Sequence, residues 1–368
     1  MKILHVAEYA KGGIATYLNE LVTLQLEESD LDIYIACSKN KFDLSLDIED
    51  SKIKKCDYSR GLLGILKYIL FLNKVFKEVS PDIIHIHSTY AGFMARVLFI
   101  FKKRPKIIYC SHGWAFLMKT ANFKKKAYSI IEYCLSFLTD KIINISNYEQ
   151  EKAIEYGIPK EKCIRIYNGI NKSSDLVCED MNDINIKLSD NDINLLFVGR
   201  YDFQKGLDIL FKVFNSDRLN QNIKLFTIGD YVIEESETSS LLNNFPSNIT
   251  NIGWVDNYQL PKYYSKFDAI IMPSRWEGFG LVAIEAMKYS KPVIASNKGA
   301  LPEIVIDKIS GYLINVEENE DIVSRLNGLE KENLIELGKQ GRILFEKTFS
   351  SKRMSDEIKR CYLDIYSN

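Results

Sequence analysis

The sequence predicts an α/β protein built from two doubly wound domains, and three observations carry that expectation. The chain has 368 residues, 46% of them hydrophobic, which is enough for two cores of ordinary size and too much to fit comfortably around one. Short apolar runs rich in Ile and Val recur between helical stretches without strict alternation, as strands do when both faces of a parallel sheet are covered. That series stops at a polar stretch, Asn171 to Asp192, and then begins again.

In the first half the strand runs are Ile3 to Ala7, Ile33 to Cys37, Ile83 to His87, Ile107 to Cys110 and Lys141 to Ile145. The segment Ile166-Tyr167-Asn168-Gly169-Ile170 then ends a strand in a turn dipeptide. The Asn-, Asp-, Ser- and Glu-rich residues after it have no apolar period, so the hinge is placed there. In the second half the runs are Ile193 to Val198, Ile223 to Ile228, Ile249 to Ile252, Ala269 to Met272 and Pro292 to Ser296. A last helical stretch, roughly Glu336 to Tyr366, keeps an apolar stripe of Leu337, Leu344, Phe345, Met354, Ile358 and Leu363. The expected limits are 1–170 for the first domain, 171–345 for the second, and 346–368 for a terminal helix that packs back on the first.

Several classes are excluded by what the chain lacks. The amino terminus has no basic region, long apolar core or small-residue cleavage site, so no export signal is expected. The apolar stretches Gly61 to Phe76 and Ala91 to Phe101 are broken by Lys67, Lys74 and Arg96, and neither offers the roughly 18 uninterrupted apolar residues of a membrane span. Seven scattered cysteines without a C-x-x-C pair fit reduced thiols, and so a cytoplasmic protein.

The net charge of −1 hides a local asymmetry. Between Lys52 and Lys126 there are sixteen Lys or Arg against three acids. Many lie beside apolar residues, as in Phe99-Ile100-Phe101-Lys102-Lys103-Arg104 and Phe123-Lys124-Lys125-Lys126. Nucleic acid is one reading of such a cluster. Lysines beside amphipathic helices also suit the inner, anionic face of a membrane, at about 1 kcal/mol each. A solvated helix face is the third reading.

Three motifs fall where strands end and helices begin, which is where ligands bind in this architecture. Lys11-Gly12-Gly13-Ile14 follows the first strand and lets backbone N–H groups approach an anion, though a plain tight turn has the same residues. Val198-Gly199-Arg200-Tyr201-Asp202-Phe203-Gln204-Lys205-Gly206 carries a guanidinium and an ammonium on one loop. Together they can grip a diphosphate; two solvated surface cations is the competing reading. The third, Pro273 to Met287, sets Glu277 and Glu285 around Gly278-Phe279-Gly280-Leu281-Val282. A carboxylate on the loop can accept from sugar hydroxyls, and the helix beginning near Leu281 turns free N–H groups and a positive dipole end toward phosphate oxygens.

Taken in order, Gly12-Gly13, Ser111-His112-Gly113, Asn168-Gly169-Ile170, Gly199-Arg200 with Lys205-Gly206, Ile228-Gly229-Asp230 and Glu277 to Glu285 resemble the retaining glycosyltransferases of family 4. The last segment is similar to that family's E-x7-E motif, and the resemblance covers nearly the whole chain. It implies the GT-B fold, in which two Rossmann-like domains face a cleft, with an acceptor-binding first domain and a nucleotide-sugar-binding second domain. It further implies that Glu277 and His112 face the transferred sugar and that Glu285 holds the ribose. The diphosphate would be bound by Arg200 and Lys205, with backbone at Gly13, Gly280, Leu281 and Val282, while Gly278 and Phe279 line the donor site. The base, uracil by the family's habit, would lie near Gly229 and the Gly253-Trp254-Val255 turn.

The implied reaction moves a hexose or N-acetylhexosamine from a nucleotide diphosphate sugar to a glycan or polyprenyl-diphosphate-linked acceptor in bacterial surface polysaccharide synthesis, O-antigen or capsule. It uses no metal, no further cofactor and no nucleic acid. Residues 52–126 would give peripheral contact with an anionic membrane. The matches Asp30-Leu31-Asp32 and Asp190-Asn191-Asp192 precede strands and read as turns, not metal sites. Two other activities fit part of the pattern: a glycoside hydrolase using Glu277 and Glu285 as its acid pair, and a nucleotide-sugar epimerase of the same fold.

Overall fold

The computed structural model describes residues 1–40, 42–100, 104–172, 186–231 and 245–367. Cys178, Lys102, Lys103 and most of the polar hinge lie outside the described residues. The chain divides into two compact units, Met1–Asn171 with Ser350–Asn368, and Lys172–Phe349.

In the first unit seven parallel strands are β1 (Lys2–Ala7), β2 (Asp32–Ser38), β3 (Ile53–Cys56), β4 (Ile83–His87), β5 (Lys106–Cys110), β6 (Lys141–Asn144) and β7 (Cys163–Arg165). They stand in the order β3-β2-β1-β4-β5-β6-β7. The helices are α1 (Gly13–Leu26), α2 (Leu62–Val79), α3 (Thr89–Val97), α4 (Asn122–Ser136) and α5 (Asn147–Glu155), with α12 (Ser351–Tyr366) returning at the chain end. The strand order reverses between β1 and β4, and right-handed crossovers on either side of that point put helices on both faces. Thus α2 packs on α3 and α3 on α4, while α1 packs on α12.

One interaction ties α3 to α4 inside this core. The guanidinium of Arg96, fully buried, donates to Glu132 Oε2 at 2.7 Å and to the Gly92 carbonyl at 2.8 Å. It lies 4.0 Å from the centre of the Tyr109 ring, whose hydroxyl donates to the other Glu132 oxygen at 3.2 Å.

The second unit repeats the plan with six parallel strands, β8 (Ile193–Val198), β9 (Ile223–Ile228), β10 (Ile249–Gly253), β11 (Ala269–Met272), β12 (Val293–Ser296) and β13 (Gly311–Ile314), in the order β10-β9-β8-β11-β12-β13. Its helices are α6 (Leu207–Phe214), α7 (Leu260–Lys266), α8 (Leu281–Lys288), α9 (Leu301–Ile304), α10 (Asn319–Asn327) and α11 (Lys331–Thr348). Because all strands are parallel, the loops after β8, β9, β10, β11 and β12 emerge along one edge.

Two strands, β3 and β13, have no counterpart among the apolar runs, and β7 is marked only by the turn that ends it; all three lie at sheet edges. An edge strand has one neighbour and a half-solvated face, so it tolerates residues such as Lys54 and Lys55 that hide its pattern. The helical stretch Glu336 to Tyr366 is a second difference. It breaks at Phe349 and Ser350, where the Ser350 side chain caps α12 by accepting from the Arg353 N–H. Among the described residues no helix is long and apolar enough to cross a membrane.

Candidate active site

In the second unit the loops after β8 and β11 meet over one carboxylate. Glu277 is buried at 7% exposure, and both of its protein donors act on the same oxygen. The Lys205 ammonium pairs with Oε1, and the Ser274 hydroxyl donates to it at 3.0 Å. Among the described residues Oε2 makes no hydrogen bond. The loops are cross-braced: Arg275 N–H donates to the Gln204 carbonyl at 2.8 Å, and Gln204 Nε2 to the Trp276 carbonyl at 3.2 Å. Arg275 also forks onto Asp208 at 2.8 and 2.7 Å. A preformed, braced carboxylate with one free oxygen is suited to a polar ligand that brings its own donors.

The backbone of Glu277 is gripped as well. Ala300 N–H donates to its carbonyl at 3.0 Å. Gly299 sits so close that a Cβ there would lie 2.4 Å from that carbonyl oxygen, with φ at +62°. Glycine is required at this position on both counts.

Gly280 precedes α8 at φ +106° with no side-chain cap, so the first N–H groups of α8 stay open to an outside acceptor. Leu281 and Val282, in its first turn, are half-buried. Phe279 turns inward, 3% exposed and edge-on to Phe349 at 5.9 Å, which leaves its backbone, and not its ring, for a ligand. Glu285 accepts from the Tyr264 hydroxyl at 2.6 Å through Oε2. Burial raises its pKa, against the Tyr264 bond and the charges of Lys288 and Lys205.

Arg200 is exposed and held locally, ion-paired to Asp202 at 2.9 Å and donating to Gln204 Oε1 at 3.1 Å. Gly229 donates its N–H to the Gly253 carbonyl at 3.0 Å, and Val255 is buried nearby along the chain beside an exposed Trp254. Arg200, Lys205, Gly229, Val255, Gly278 and Glu277 therefore all sit on the strand-end loops of one sheet.

In the first unit Gly13 opens α1. His112, on the loop after β5, has a left-handed backbone at φ 52°. Its Nε2 lies 3.0 Å from His87 Nδ1, and His87 Nε2 lies 3.0 Å from His5 Nδ1. His5 Nε2 meets Gln25 Oε1 at 2.8 Å, the Gln25 amide donates to the Tyr362 hydroxyl at 3.2 Å, and that hydroxyl lies 2.7 Å from His85 Nδ1. Burial holds these rings neutral, lowering the pKa of His5 to about 4 and of His112 to about 3, with His85 and His87 also well below the usual value.

His5, His85 and His87 bring ring nitrogens within 4.8 Å of one another. His5 Nδ1 and His87 Nε2 are already spent on each other. The sequence shows four separate histidines, and the signal that could have joined them is the register His5↔His85 together with the spacing of His85 and His87, which puts all three on one face. Ser274, Tyr264 and Gly299 were missed because only the fold brings them to Glu277 and Glu285.

The charge asymmetry of residues 52–126 is smaller in the structure than in the sequence. Arg96 is buried, and Lys52, Lys54, Arg60 and Arg104 pair with Asp32, Glu78, Glu8 and Asp140.

Comparison with known proteins decides the family. The model for glycosyl transferases group 1 matches residues 180–342, and that for glycosyltransferase family 4 matches residues 11–174. An uncharacterized glycosyltransferase of Methanocaldococcus jannaschii, MJ1178, is 30% identical over 99% of each chain. The chain belongs to the glycosyltransferases of group 1 and family 4. This glycosyltransferase is also 34% identical, over the full length of both, to an uncharacterized 41.2 kDa protein in the cps region of Klebsiella pneumoniae. It is 24% identical, over 84% of this chain and 82% of the other, to the UDP-Gal:alpha-D-GlcNAc-diphosphoundecaprenol alpha-1,3-galactosyltransferase of Escherichia coli. The crystal structure of Anabaena HepE in complex with UDP superimposes with a TM-score of 0.82 at 18% identity, covering 99% of this chain and 100% of that one, and so shares the GT-B fold. Membership in this family supports sugar transfer over the hydrolase and epimerase alternatives.

Proposed function

We propose that this glycosyltransferase moves a hexose or N-acetylhexosamine, with retention of configuration, from a UDP-sugar to a glycan or polyprenyl-diphosphate-linked acceptor in bacterial surface polysaccharide synthesis. The observation that carries this reading is Glu277, whose Oε1 is held by Lys205 and Ser274 while Oε2 stays open. The substrate class is supported by the names of the Escherichia coli and Klebsiella pneumoniae relatives and by the UDP held by HepE.

In this proposal residues 1–170 take the acceptor, residues 171–345 take the donor, and 346–368 belong with the first domain. Glu277 binds the transferred sugar and offsets charge at its anomeric carbon, and His112 meets the same sugar. Lys205 and Arg200 stabilise the departing diphosphate, helped by backbone N–H groups at Gly280, Leu281, Val282 and Gly13. Glu285 takes the ribose through Oε1, since Tyr264 already donates to Oε2. The base lies by Gly229 and Val255. The acceptor hydroxyl attacks from the leaving-group side and its proton passes to a phosphate oxygen, so neither a protein nucleophile nor a metal is needed.

The test is thermal unfolding against a panel of sugar nucleotides. A true donor at a hundredfold excess over its Kd stabilises the fold by about 2.7 kcal/mol. UDP-sugars should protect and free monosaccharides should not; equal indifference to every nucleotide would reject the assignment.

A peripheral site on the inner face of the cytoplasmic membrane is the second part of the proposal. On α2, Leu62, Leu63, Leu66 and Leu70 are 83, 76, 57 and 68% exposed, and Phe123 on α4 is 72% exposed beside Lys124, Lys125 and Lys126. Leucines in lipid contribute about 0.8 kcal/mol per buried CH₂, and nearby lysines about 1 kcal/mol each on an anionic surface. Flotation with vesicles containing anionic lipid should retain the wild type. Leu63→Glu with Leu66→Glu should lose that binding by at least about tenfold without altering the fold. A wild-type chain that ignores such vesicles would remove this part.

A further inference from the structure

The four histidines of this chain, Gln25 and Tyr362 form a single hydrogen-bonded row that runs from the core of the first unit to the loop after β5. Burial keeps every imidazole neutral, and a neutral imidazole donates at one nitrogen and accepts at the other. The direction of the whole row therefore follows from which end of a single amide faces it. Gln25 carries that amide, and its Oε1 can only accept.

With Oε1 of Gln25 facing His5 Nε2 at 2.8 Å, that nitrogen carries the proton and His5 Nδ1 is left to accept. His87 must then donate to it from Nε2 across 3.0 Å, which leaves His87 Nδ1 as the acceptor for His112 Nε2–H, again at 3.0 Å. On the other side the Gln25 amide donates to the Tyr362 hydroxyl at 3.2 Å, and Tyr362 passes its own proton to His85 Nδ1 at 2.7 Å. Each bond has one donor and one acceptor, and all four rings carry hydrogen on Nε2. His85 Nε2 is then an N–H with no partner in the structure.

We propose that Gln25 is a positioning residue that fixes the tautomer of His112, holding Nε2–H inward on His87 and presenting the Nδ1 lone pair to a hydroxyl donor of the bound sugar. The His112 ring makes no other hydrogen bond among the described residues, it rests edge-on against Tyr17 at 4.5 Å, and the backbone is held at φ 52°, so the ring has little freedom to serve a ligand with its other nitrogen. The catalytic part of this proposal rests on the assignment of His112 to the donor sugar made above. The row itself does not.

Turning the Gln25 amide over would reverse every bond and move the proton of His112 to Nδ1, so the row has two coherent states and Gln25 chooses between them. In the orientation found here Tyr362 accepts from the amide Nε2. In this way α12, at the end of the chain, takes part in presenting a residue on the loop after β5.

The test is nitrogen NMR of the full-length protein labelled at its imidazole rings, read as tautomer at His112. The wild type should show the Nε2–H form. Gln25→Leu removes the acceptor that holds the proton on His5 Nε2, so the row should reverse and His112 should become Nδ1–H. Gln25→Glu keeps an acceptor opposite His5 and should restore the Nε2–H form. Should Gln25→Leu fail to fold, Tyr362→Phe frees the amide while keeping the ring packing, and a mixture of the two tautomers is expected.

For transfer, reversal at His112 should lower kcat/KM for the donor by about tenfold, the value of one misdirected hydrogen bond. An Nδ1–H signal in the wild type, or an unchanged His112 tautomer in both Gln25→Leu and Tyr362→Phe, overturns the proposal. A tautomer that switches as expected while transfer is untouched supports the row and overturns the placement of His112 at the sugar.

Discussion

Glu277→Ala should lower kcat for sugar transfer by about 10³ and leave the protein folded. The rate loss follows from the charge this carboxylate presents to a developing oxocarbenium ion, since one well-placed electrostatic group in a dry site is worth about 2.7–4 kcal/mol. The fold should survive because the group left behind can adapt. The Lys205 side chain is 18% exposed, so its ammonium can turn to water once the ion pair is gone. Ser274 keeps a second bond to the structure, because its carbonyl accepts from the Ser296 hydroxyl at 2.6 Å. Lys205→Ala should also reduce kcat, by about 10². The double substitution should cost less than the product of the two, since each side chain orders the other. Steady-state kinetics with thermal unfolding as the fold control reads all three. Near-normal rates for both single variants would remove the site assignment.

The largest effect on stability is expected in the other unit. Glu132→Ala leaves Arg96 without its carboxylate, and the Arg96 side chain has 0% exposure. Breaking one side of such a pair typically costs about 3–5 kcal/mol, a large share of the stability of any domain. Replacing both partners together, as Arg96→Met with Glu132→Leu, should recover most of that loss because no charge is then stranded. Urea unfolding of the three variants measures it. A Glu132→Ala protein within about 1 kcal/mol of wild type would mean that the guanidinium reaches water or another acceptor.

The legible part of this fold was the part buried on both faces. β1, β4, β5, β8, β9 and β11 each read as an apolar run because both of their neighbours are strands and both faces are covered. Among the edge strands β10 was legible as Ile249 to Ile252, whereas β3 and β13 were not, since a strand with one neighbour is not obliged to be apolar. Helix continuity was misread at Phe349 and Ser350, where the stripe of apolar residues carries on past a capped break.

At the site, the loop residues were legible from their chemistry: two carboxylates, two cations and glycines at strand ends are unusual together. Their partners were not. Ser274 looks like any loop serine until the turn brings it to Glu277. Tyr264 comes from α7, 21 residues before Glu285, and Gly299 comes from the loop after β12. His5, Gln25, His85 and Tyr362 are ordinary residues in four separate elements, and only strand register and helix packing turn them into one row.

Anomeric configuration is the property on which the proposed chemistry stands or falls. The measurement is proton NMR of the product formed from a UDP-sugar and a polyprenyl-diphosphate-linked acceptor. A transferred sugar should appear with the configuration it had in the donor, only when the sugar nucleotide is supplied, and not with Glu277→Ala. A product of inverted configuration would contradict the account of Glu277 and the donor's own phosphate sharing the chemistry.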